Sequence, residues 1–346
     1  MTDSNSDSIL DKLVEWFRSS AGITMSVTVF IAILASFDKG PYLLVNTMVT
    51  GGMWALMAMG VALLFGVMNI SNFAHGEYFM IGSLTAYYIM NPMKAYLMEN
   101  PNSFLSFITP LVAIVCATLV GALAGVISEK TIFATLRKRN REGWLLNCFL
   151  ITIGMSIILI NIHMLVFGNT FKGVVNFWDV PSLSLGDVYI SVDRVAVFFI
   201  SMLAIVFFWY LMMYTTLGKK IRAVAQDENG ARMVGITVDN VYTITFALSC
   251  GFAALAGGSL LFMFPAYPSV GIAPLYNSWF IIILVGFGNV AGAVPGGFMI
   301  ALFQVLTRTY IGEGWENVIP MALISIILIF KPYGIFETKV RTVWEQ

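Results

Sequence analysis

The sequence predicts an all-α polytopic membrane protein with about ten transmembrane helices, internal helix breaks and both termini in the cytoplasm. Hydrophobic residues make up 58% of the chain and charged residues 11%, whereas soluble domains contain about 25% charged residues. The uncharged runs Gly40–Ala74 and Asn240–Thr307 are each longer than the roughly 20 residues that one membrane crossing requires. Basic residues gather in alternate loops, and this distribution sets the orientation.

Ten apolar segments of suitable length follow one another along the chain. Turn-forming residues separate them, as at 38–41 and at the Asn91–Pro92 pair that ends the third segment. We expect spans at approximately 21–37, 42–68, 73–90, 104–128, 145–168, 193–217, 238–262, 270–288, 290–311 and 315–330. The transmembrane domain is therefore 21–336.

The two ends of the chain lie outside this domain. Residues 1–20 carry apolar side chains at helical spacing, and Trp16 suits the membrane interface. This pattern predicts an amphipathic helix lying on the membrane surface. Residues 337–346 are expected to form a cytoplasmic tail.

Positive charge is concentrated in loops that alternate along the chain. With ten spans, the basic clusters at 130–141, 219–232 and 331–341 all fall on one side, which is the cytoplasmic side by the positive-inside rule. The formal net charge is zero, so the charge of the whole chain indicates no class of partner.

The segment 69–77 interrupts two apolar runs with a concentration of polar side chains. These are Asn69, Ser71, Asn72, His75 and Glu77. Polar groups beside apolar spans usually face a protein interior or a water-filled path, so we expect them to line a substrate pathway. An ordinary hairpin in the headgroup region is the alternative. Glu77 has alternatives of its own: it would pair with His75, or stabilise the start of the helix that follows.

A second glycine-rich interruption occurs at 286–297. Asn69 and Asn289, and likewise Gly76 and Gly296, align at one offset. This alignment suggests an internal duplication of the kind found in many transporters.

The segment 217–236 has the most soluble character between the termini. Small apolar residues alternate with charged ones, and Gly230 and Gly235 permit short helices joined by turns. The pattern favours a docking element for a cytoplasmic protein; a solvated loop made basic by orientation is the alternative. No Gly-rich loop ends in Gly-Lys-Ser/Thr, so an ATPase, where one drives the protein, is a separate chain.

Cysteine and histidine placement predicts neither a disulfide framework nor a metal site. The three cysteines lie far apart in apolar spans, and the two histidines, His75 and His163, are distant in sequence. We expect no catalytic residue and no cofactor on this chain. An intramembrane enzyme that uses His75 and Glu77 as acid and base would lack a nucleophile, and a passive channel would not need the docking segment.

Four motifs resemble those of branched-chain (hydrophobic) amino acid ABC transporter permeases, a family that also includes urea and short-amide permeases. The stretch at 66–83, GVMNISNFAHGEYFMIGS, resembles the Asn-Phe-Ala-His-Gly-Glu motif of the family. IRAVAQDENGARMVGI at 221–236 resembles its cytoplasmic coupling segment, and VGFGNVAGAVPGG at 285–297 and KPYGIF at 331–336 resemble two further motifs. Asn289 stands where a glycine-serine pairing is more usual. The resemblance covers roughly residues 42 to 336.

The resemblance implies a multi-pass permease subunit of a bacterial inner-membrane importer. Its partners would be a second related permease, two cytoplasmic ATPase subunits that hold ATP and magnesium, and a periplasmic solute-binding protein. The five polar residues of 69–77 would lie near the transport path. The ATPase contact would involve Arg222, Ala223, Asp227, Gly235 and Ile236. The motifs leave open whether the solute is a branched-chain amino acid, urea or a short amide.

Overall fold

The computed structural model describes residues 19–139, 144–174, 177–178, 182–185 and 188–336. This part of the chain is almost entirely helical. The α-helices are α1 (Ser20–Lys39), α2 (Tyr42–Met68), α3 (His75–Glu99), α4 (Ser103–Ser128), α5 (Ala134–Arg139), α6 (Trp144–Phe167), α7 (Val192–Tyr214), α8 (Thr216–Gln226), α9 (Glu228–Met233), α10 (Val238–Leu260), α11 (Ile272–Val285), α12 (Val290–Tyr310) and α13 (Val318–Phe330). A π-helical turn (Glu129–Phe133), a 3₁₀ turn (Glu313–Trp315) and an antiparallel hairpin, β1 (Leu183–Leu185) and β2 (Val188–Ile190), complete it. The predicted amphipathic helix at 1–20, apart from its last two residues, and the predicted tail at 337–346 lie outside the described residues.

Each predicted span coincides with one helix, and the class of all-α polytopic membrane protein is confirmed. Eight helices of the described part are long and apolar enough to cross a membrane. Of the ten helices at predicted spans, α3 and α11 are the two that do not meet this description. Helix α11 has 14 residues, which gives about 21 Å against a hydrocarbon thickness of about 30 Å. Helix α3 is long, but it carries charged residues near both ends.

The third helix continues beyond the predicted boundary. Asn91–Pro92 was expected to end it, but α3 continues through Pro92 to Glu99. A proline inside a helix removes one backbone hydrogen bond and disfavours the helical conformation of the residue before it. Membrane helices tolerate this because other groups satisfy the freed carbonyl. The boundary prediction was therefore wrong by about nine residues.

Burial divides the helices into a core and a periphery. Helices α2, α10 and α12 are buried along most of their length, whereas α1, α6 and α13 expose most of their apolar side chains. Exposed apolar helix faces are what a lipid environment requires. The polar segment 69–77 joins the buried part of this arrangement, since it follows directly from α2.

Helices α2 and α12 pack closely and run antiparallel. A Cβ added to Gly51 would lie 2.4 Å from Cδ1 of Phe298, and one added to Gly66 would lie 3.0 Å from the carbonyl oxygen of Gly288. Residue numbers therefore increase along α2 while the numbers of the residues that face them decrease towards the start of α12. The two helices run in opposite directions. The absence of side chains at these glycines permits the close approach.

Helices α4 and α10 form a second antiparallel pair of the same kind. A Cβ on Gly121 would lie 2.2 Å from Cβ of Ala254, and one on Gly125 would lie 2.8 Å from Cβ of Cys250. The units α2–α3–α4 and α10–α11–α12 thus exchange contacts, the first helix of each packing on the third helix of the other. This reciprocal packing is the arrangement expected of two repeats related by a twofold axis.

The structure corrects the duplication that the sequence offset suggested. Asn69 ends α2 with a left-handed backbone (φ 52°). Asn289 instead begins α12, where its side chain accepts a hydrogen bond from the Gly292 N–H at 2.8 Å. Asn69 therefore lies at the end of a helix, whereas Asn289 lies at the start of one. The interruption equivalent to 69–74 is 261–271, which precedes α11.

The loop between α6 and α7 packs against the segment that follows α10. Lys172 and Ala266 exchange backbone hydrogen bonds of 2.9 and 2.7 Å, and the ring of Trp178 stacks on Phe262 at 5.3 Å. Tyr189 in the hairpin is exposed. The described part of this loop is thus anchored at one end and exposed at the other.

Candidate functional site

The interruption after α2 begins with a helix cap. The backbone N–H of Asn69 donates to the Phe65 carbonyl at 2.9 Å, and the left-handed conformation of Asn69 turns the chain out of the helix. Asparagine tolerates this conformation better than most side chains because its amide can form local hydrogen bonds. Asn69 is exposed and Ser71 is half-buried. These two residues form the open end of the segment.

Asn72 organises the start of α3. Its Oδ1 accepts a hydrogen bond from the Ala74 N–H at 3.0 Å, and its carbonyl accepts from the His75 N–H at 3.3 Å. The N–H groups at a helix start have no partner within the helix, and a side-chain oxygen satisfies one of them. Asn72 therefore has a structural role at the helix start, in addition to any role towards a solute.

Helix α6 contacts the segment through hydroxyl groups. The Phe73 N–H donates to Oγ1 of Thr152 at 3.2 Å, and Oγ of Ser156 donates to Oε1 of Glu77 at 2.8 Å. Phe73 also lies edge-on to Phe149 of the same helix, with ring centroids 5.0 Å apart. Since α6 is otherwise mostly exposed, these contacts are a large part of what holds it to the core.

Three of the polar side chains are completely enclosed. Asn72 and His75 have no exposed surface, and Glu77 has 1%. Within the described residues, Asn72 Nδ2, both ring nitrogens of His75 and Glu77 Oε2 have no hydrogen-bond partner. Unpaired polar atoms in an apolar interior are costly, at roughly 1–3 kcal/mol each in proteins. Such atoms need an explanation beyond packing.

His75 and Glu77 point to different neighbours. The His75 ring lies against α2, since a Cβ on Gly60 would lie 2.9 Å from His75 Nε2. Glu77 points to Ser156 of α6. The alternative that these two side chains pair with each other is therefore wrong. Glu77 lies in the first turn of α3, where a carboxylate complements the helix dipole, while Asn72 accepts from the Ala74 N–H, directly before the helix.

The starts of α3 and α11 meet in the interior. A Cβ on Gly76 would lie 2.4 Å from the Gly271 carbonyl oxygen, and a Cβ on Gly271 would lie 1.9 Å from the Gly76 carbonyl oxygen. Only two glycines permit this backbone contact. The positive ends of two helix dipoles consequently lie close together beside the unpaired side chains. Transporters with interrupted helices place solute sites at such positions.

The predicted coupling segment folds as two short helices, as its pattern indicated. Thr215 caps α8 by accepting from the Gly218 N–H at 3.1 Å, and Asp227 caps α9 by accepting from the Asn229 N–H at 2.9 Å. Gly235 has φ +83°, a conformation that favours glycine. The first turn of each helix thus has a side-chain cap supplied by the chain itself.

The five residues expected at the ATPase contact are not equally accessible. Asp227 and Gly235 are exposed, while Ala223 and Ile236 are half-buried. The guanidinium of Arg222 turns back to the Met212 carbonyl at the end of α7. It therefore fixes α8 to the bundle, and its side chain is already engaged within the chain.

The most exposed large apolar side chains of this segment are not among the residues expected at the ATPase contact. They are Met233 and Val234, which are 84% and 76% exposed. Ile221 and Val224, by contrast, are buried. The amphipathic period of α8 identifies its buried face, but α9 has only six residues, too few for the period to do so.

Several known proteins have sequences similar to that of this chain. The family model described as branched-chain amino acid transport system, permease component, matches residues 43–330. The high-affinity branched-chain amino acid transport system permease protein LivH of Salmonella typhimurium is 27% identical over 84% of this chain and 93% of its own length. The corresponding protein BraD of Pseudomonas aeruginosa is 27% identical over 84% and 94%. A probable LivH of Methanocaldococcus jannaschii is 25% identical over 85% and 91%.

No solved structure matches the chain, so the relationship rests on sequence. The family model covers the core helices, the polar segment 69–77 and the coupling segment together. The chain belongs to the family of branched-chain amino acid transport permeases, and it is a transport subunit rather than an enzyme.

Proposed function

We propose that the chain is the permease subunit of an ATP-binding-cassette importer that moves branched-chain, hydrophobic amino acids across a bacterial inner membrane. The family membership and the names of the relatives support this proposal. ATP and magnesium would be held by a separate ATPase, since the sequence contains no phosphate-binding Gly-Lys-Ser/Thr loop.

The exposed end of the coupling segment is the observation that carries the proposal. Met233 and Val234 are exposed at the end of α9, in the segment of the chain that joins the membrane helices α7 and α10. Adjacent exposed apolar side chains are typical of a protein interface. A cytoplasmic ATPase is the partner that the proposed function requires there.

Substituting Met233→Glu tests this contact. We expect the ATPase encoded with the permease to dissociate during purification of the complex, because a charge would replace an apolar contact at the centre of the interface. Met233→Leu, which keeps the side chain apolar, is the matched control. An ATPase that co-purifies equally with both variants would show that α9 is not its docking site.

The further partners are a second related permease, a second ATPase subunit and a solute-binding protein on the outer side. The anchored loop between α6 and α7, with its exposed hairpin, is the proposed contact for the binding protein. Uptake of radiolabelled leucine into vesicles that contain all subunits tests the solute. Uptake of urea or acetamide in place of leucine would assign the chain to the amide-transporting branch instead.

We further propose ten membrane crossings with both termini in the cytoplasm. Every basic cluster then lies on one side. Helices α3 and α11 would begin inside the membrane, directly after the interruptions 69–74 and 261–271. Single cysteines at Lys138 and Tyr189, introduced into a cysteine-free variant, should react with impermeant thiol reagents from opposite faces. Labelling from the same face would contradict the topology.

The polar segment 69–77 is proposed to line or gate the solute path. Amino acids need hydrogen-bond partners when they leave water, and Asn72 and His75 carry polar atoms that have no partner among the described residues. Both are enclosed in this conformation, so helix movement must expose them during transport. The variants Asn72→Leu and His75→Leu should lose uptake at normal protein abundance. If abundance falls in parallel with uptake in both variants, the segment is a folding element.

A further inference from the structure

A chain of polar contacts links the coupling segment to the end of α4. Nη2 of Arg137 lies 2.8 Å from Oε1 of Glu129 and 3.2 Å from Oδ1 of Asp239. The Arg137 guanidinium also lies over the ring of Tyr242, with Cζ 4.5 Å from the ring centroid. The Tyr242 hydroxyl donates to Oε2 of Glu228, the first residue of α9, at 3.0 Å. These contacts thus form a continuous series from α9 to the helix bundle.

The inner end of this chain is buried. The Glu129 side chain is fully buried and that of Arg137 is 17% exposed. A buried ion pair contributes little to stability compared with apolar residues of similar volume, but removal of one partner is strongly destabilising. Glu129 Oε2 and Arg137 Nη1 have no partner among the described residues, which is more than a purely structural pair would leave unsatisfied.

The backbone at Glu129 is unusual. The turn Glu129–Phe133 is π-helical and joins α4 to α5. Such turns occur frequently at functional sites. Phe133, at the other end of this turn, is fully buried and lies 4.8 Å from the ring of Phe246 in α10. The turn is therefore held from two sides, by a ring contact and by an ion pair.

The outer end is a single hydrogen bond. Tyr242 Oη and Glu228 Oε2 form the contact between α9 and this chain of residues, while Oε1 of Glu228 accepts from Arg232 within α9 at 2.7 Å. Movement of α9 would pull on Tyr242, whose ring covers the guanidinium of Arg137. Arg137 in turn holds the π-helical turn.

We propose that Glu228, Tyr242, Arg137 and Glu129 form a relay that transmits the movement of α9 to the cytoplasmic end of α4. Arg137 and Tyr242 are positioning residues, since they act through their neighbours and contact neither solute nor nucleotide. This inference rests on the proposed function, because it requires an ATPase docked on α9. It adds the route by which docking reaches the bundle, since Tyr242 lies in the core helix α10 and α4 packs against α10.

The variant Tyr242→Phe tests the relay at its outer link. It removes the hydroxyl but keeps the ring over Arg137. In vesicles that contain the complete importer, we expect leucine uptake per ATP hydrolysed to fall about tenfold or more, the effect of losing one hydrogen bond to a charged group. Assembly of the complex should be normal. Tyr96→Phe, at an exposed tyrosine near the end of α3, is the matched control.

A second variant separates the relay from general loss of packing. In the Glu228→Ala background, Tyr242→Phe should have no further effect, because both changes remove the same bond. Independent, additive effects of the two changes would overturn the relay, as would an unchanged ratio of uptake to hydrolysis in Tyr242→Phe. Failure of the unmodified permease to bind its ATPase would instead contradict the proposed function.

Discussion

The two polar regions of this permease are constructed in opposite ways. In the segment 69–77 the side chains of Asn72, His75 and Glu77 are enclosed, and several of their atoms have no partner among the described residues. In the coupling segment the caps of both helices are satisfied, and the unusual feature is exposed apolar surface at Met233 and Val234. One region therefore has unmet polar contacts inside the protein, and the other has unmet apolar contacts outside it.

This difference indicates what each region is prepared to bind. Buried polar atoms without partners can receive a solute that brings hydrogen-bonding groups, provided the helices move apart. An exposed apolar tip on a capped helix can receive another protein without refolding. It also predicts the size of mutational effects, which should be large for added atoms in the first region and small for most changes in the second.

The largest effect is expected where the enclosed region is tightest. In Gly76→Ala the new Cβ would lie 2.4 Å from the Gly271 carbonyl oxygen, and a backbone atom cannot move aside as a side chain can. We expect destabilisation of roughly 1–3 kcal/mol or more, measured as a lower melting temperature in detergent and a lower abundance in the membrane.

Gly154→Ala is the matched control for this change. Gly154 lies in α6, and no atom of the described residues lies within 4 Å of the position of its Cβ. Alanine should be neutral or stabilising there by up to about 1 kcal/mol, because glycine is the poorer helix former. Equal melting temperatures for the two variants would mean that the contact between α3 and α11 is looser than the structure has it.

A smaller effect is expected at the contact between α6 and Glu77. Ser156→Ala removes the hydroxyl that donates to Oε1 of Glu77, and leaves both carboxyl oxygens of this enclosed residue without a partner in the part of the chain that the structure describes. The cost should be about 1–3 kcal/mol, detected as a lower melting temperature together with a lower rate of leucine uptake.

Ser325→Ala is the control for Ser156, because its hydroxyl donates to a carbonyl within an exposed helix. It should change the melting temperature little. A Ser156→Ala variant that melts with the unmodified protein would show that Glu77 finds another partner, and the enclosed region would then be less dependent on α6 than its contacts indicate.

The sequence predicted the class and the helices because lipid-exposed and buried helices are both apolar, and segment length and turn-forming residues then separate one span from the next. It identified 69–77 because polar residues stand out in such surroundings. Composition could not predict that the Phe73 N–H donates to Thr152 or that Glu77 faces Ser156, because these pairings depend on how distant helices pack.

The dependence on packing between distant helices also explains why the predicted alignment of the two repeats was wrong. The offset that paired Asn69 with Asn289 compared residue types, whereas the repeat is expressed in packing between α2 and α12 and between α4 and α10. The relay through Arg137 was invisible for a related reason. Arg137 belongs to a basic cluster that the orientation rule already explained, so nothing in the sequence distinguished it from its neighbours.

The smallest effect is expected at Asp227, in the exposed region, and two substitutions there separate charge from capping. Asp227→Ala removes the oxygen that accepts from the Asn229 N–H, which should cost about 1 kcal/mol locally. Asp227→Asn removes the charge but keeps a good capping oxygen. Hydrogen–deuterium exchange over Glu228–Met233 should therefore accelerate in the alanine variant and remain slow in the asparagine variant. Because α9 is short and exposed, the melting temperature of the whole protein should hardly change in either.

Affinity for the ATPase completes the test of Asp227. If Asp227 contacts that subunit through its charge, both variants bind it more weakly, and if the residue only shapes α9, the alanine variant alone does so. Equal exchange in the two variants would show that α9 does not depend on its cap.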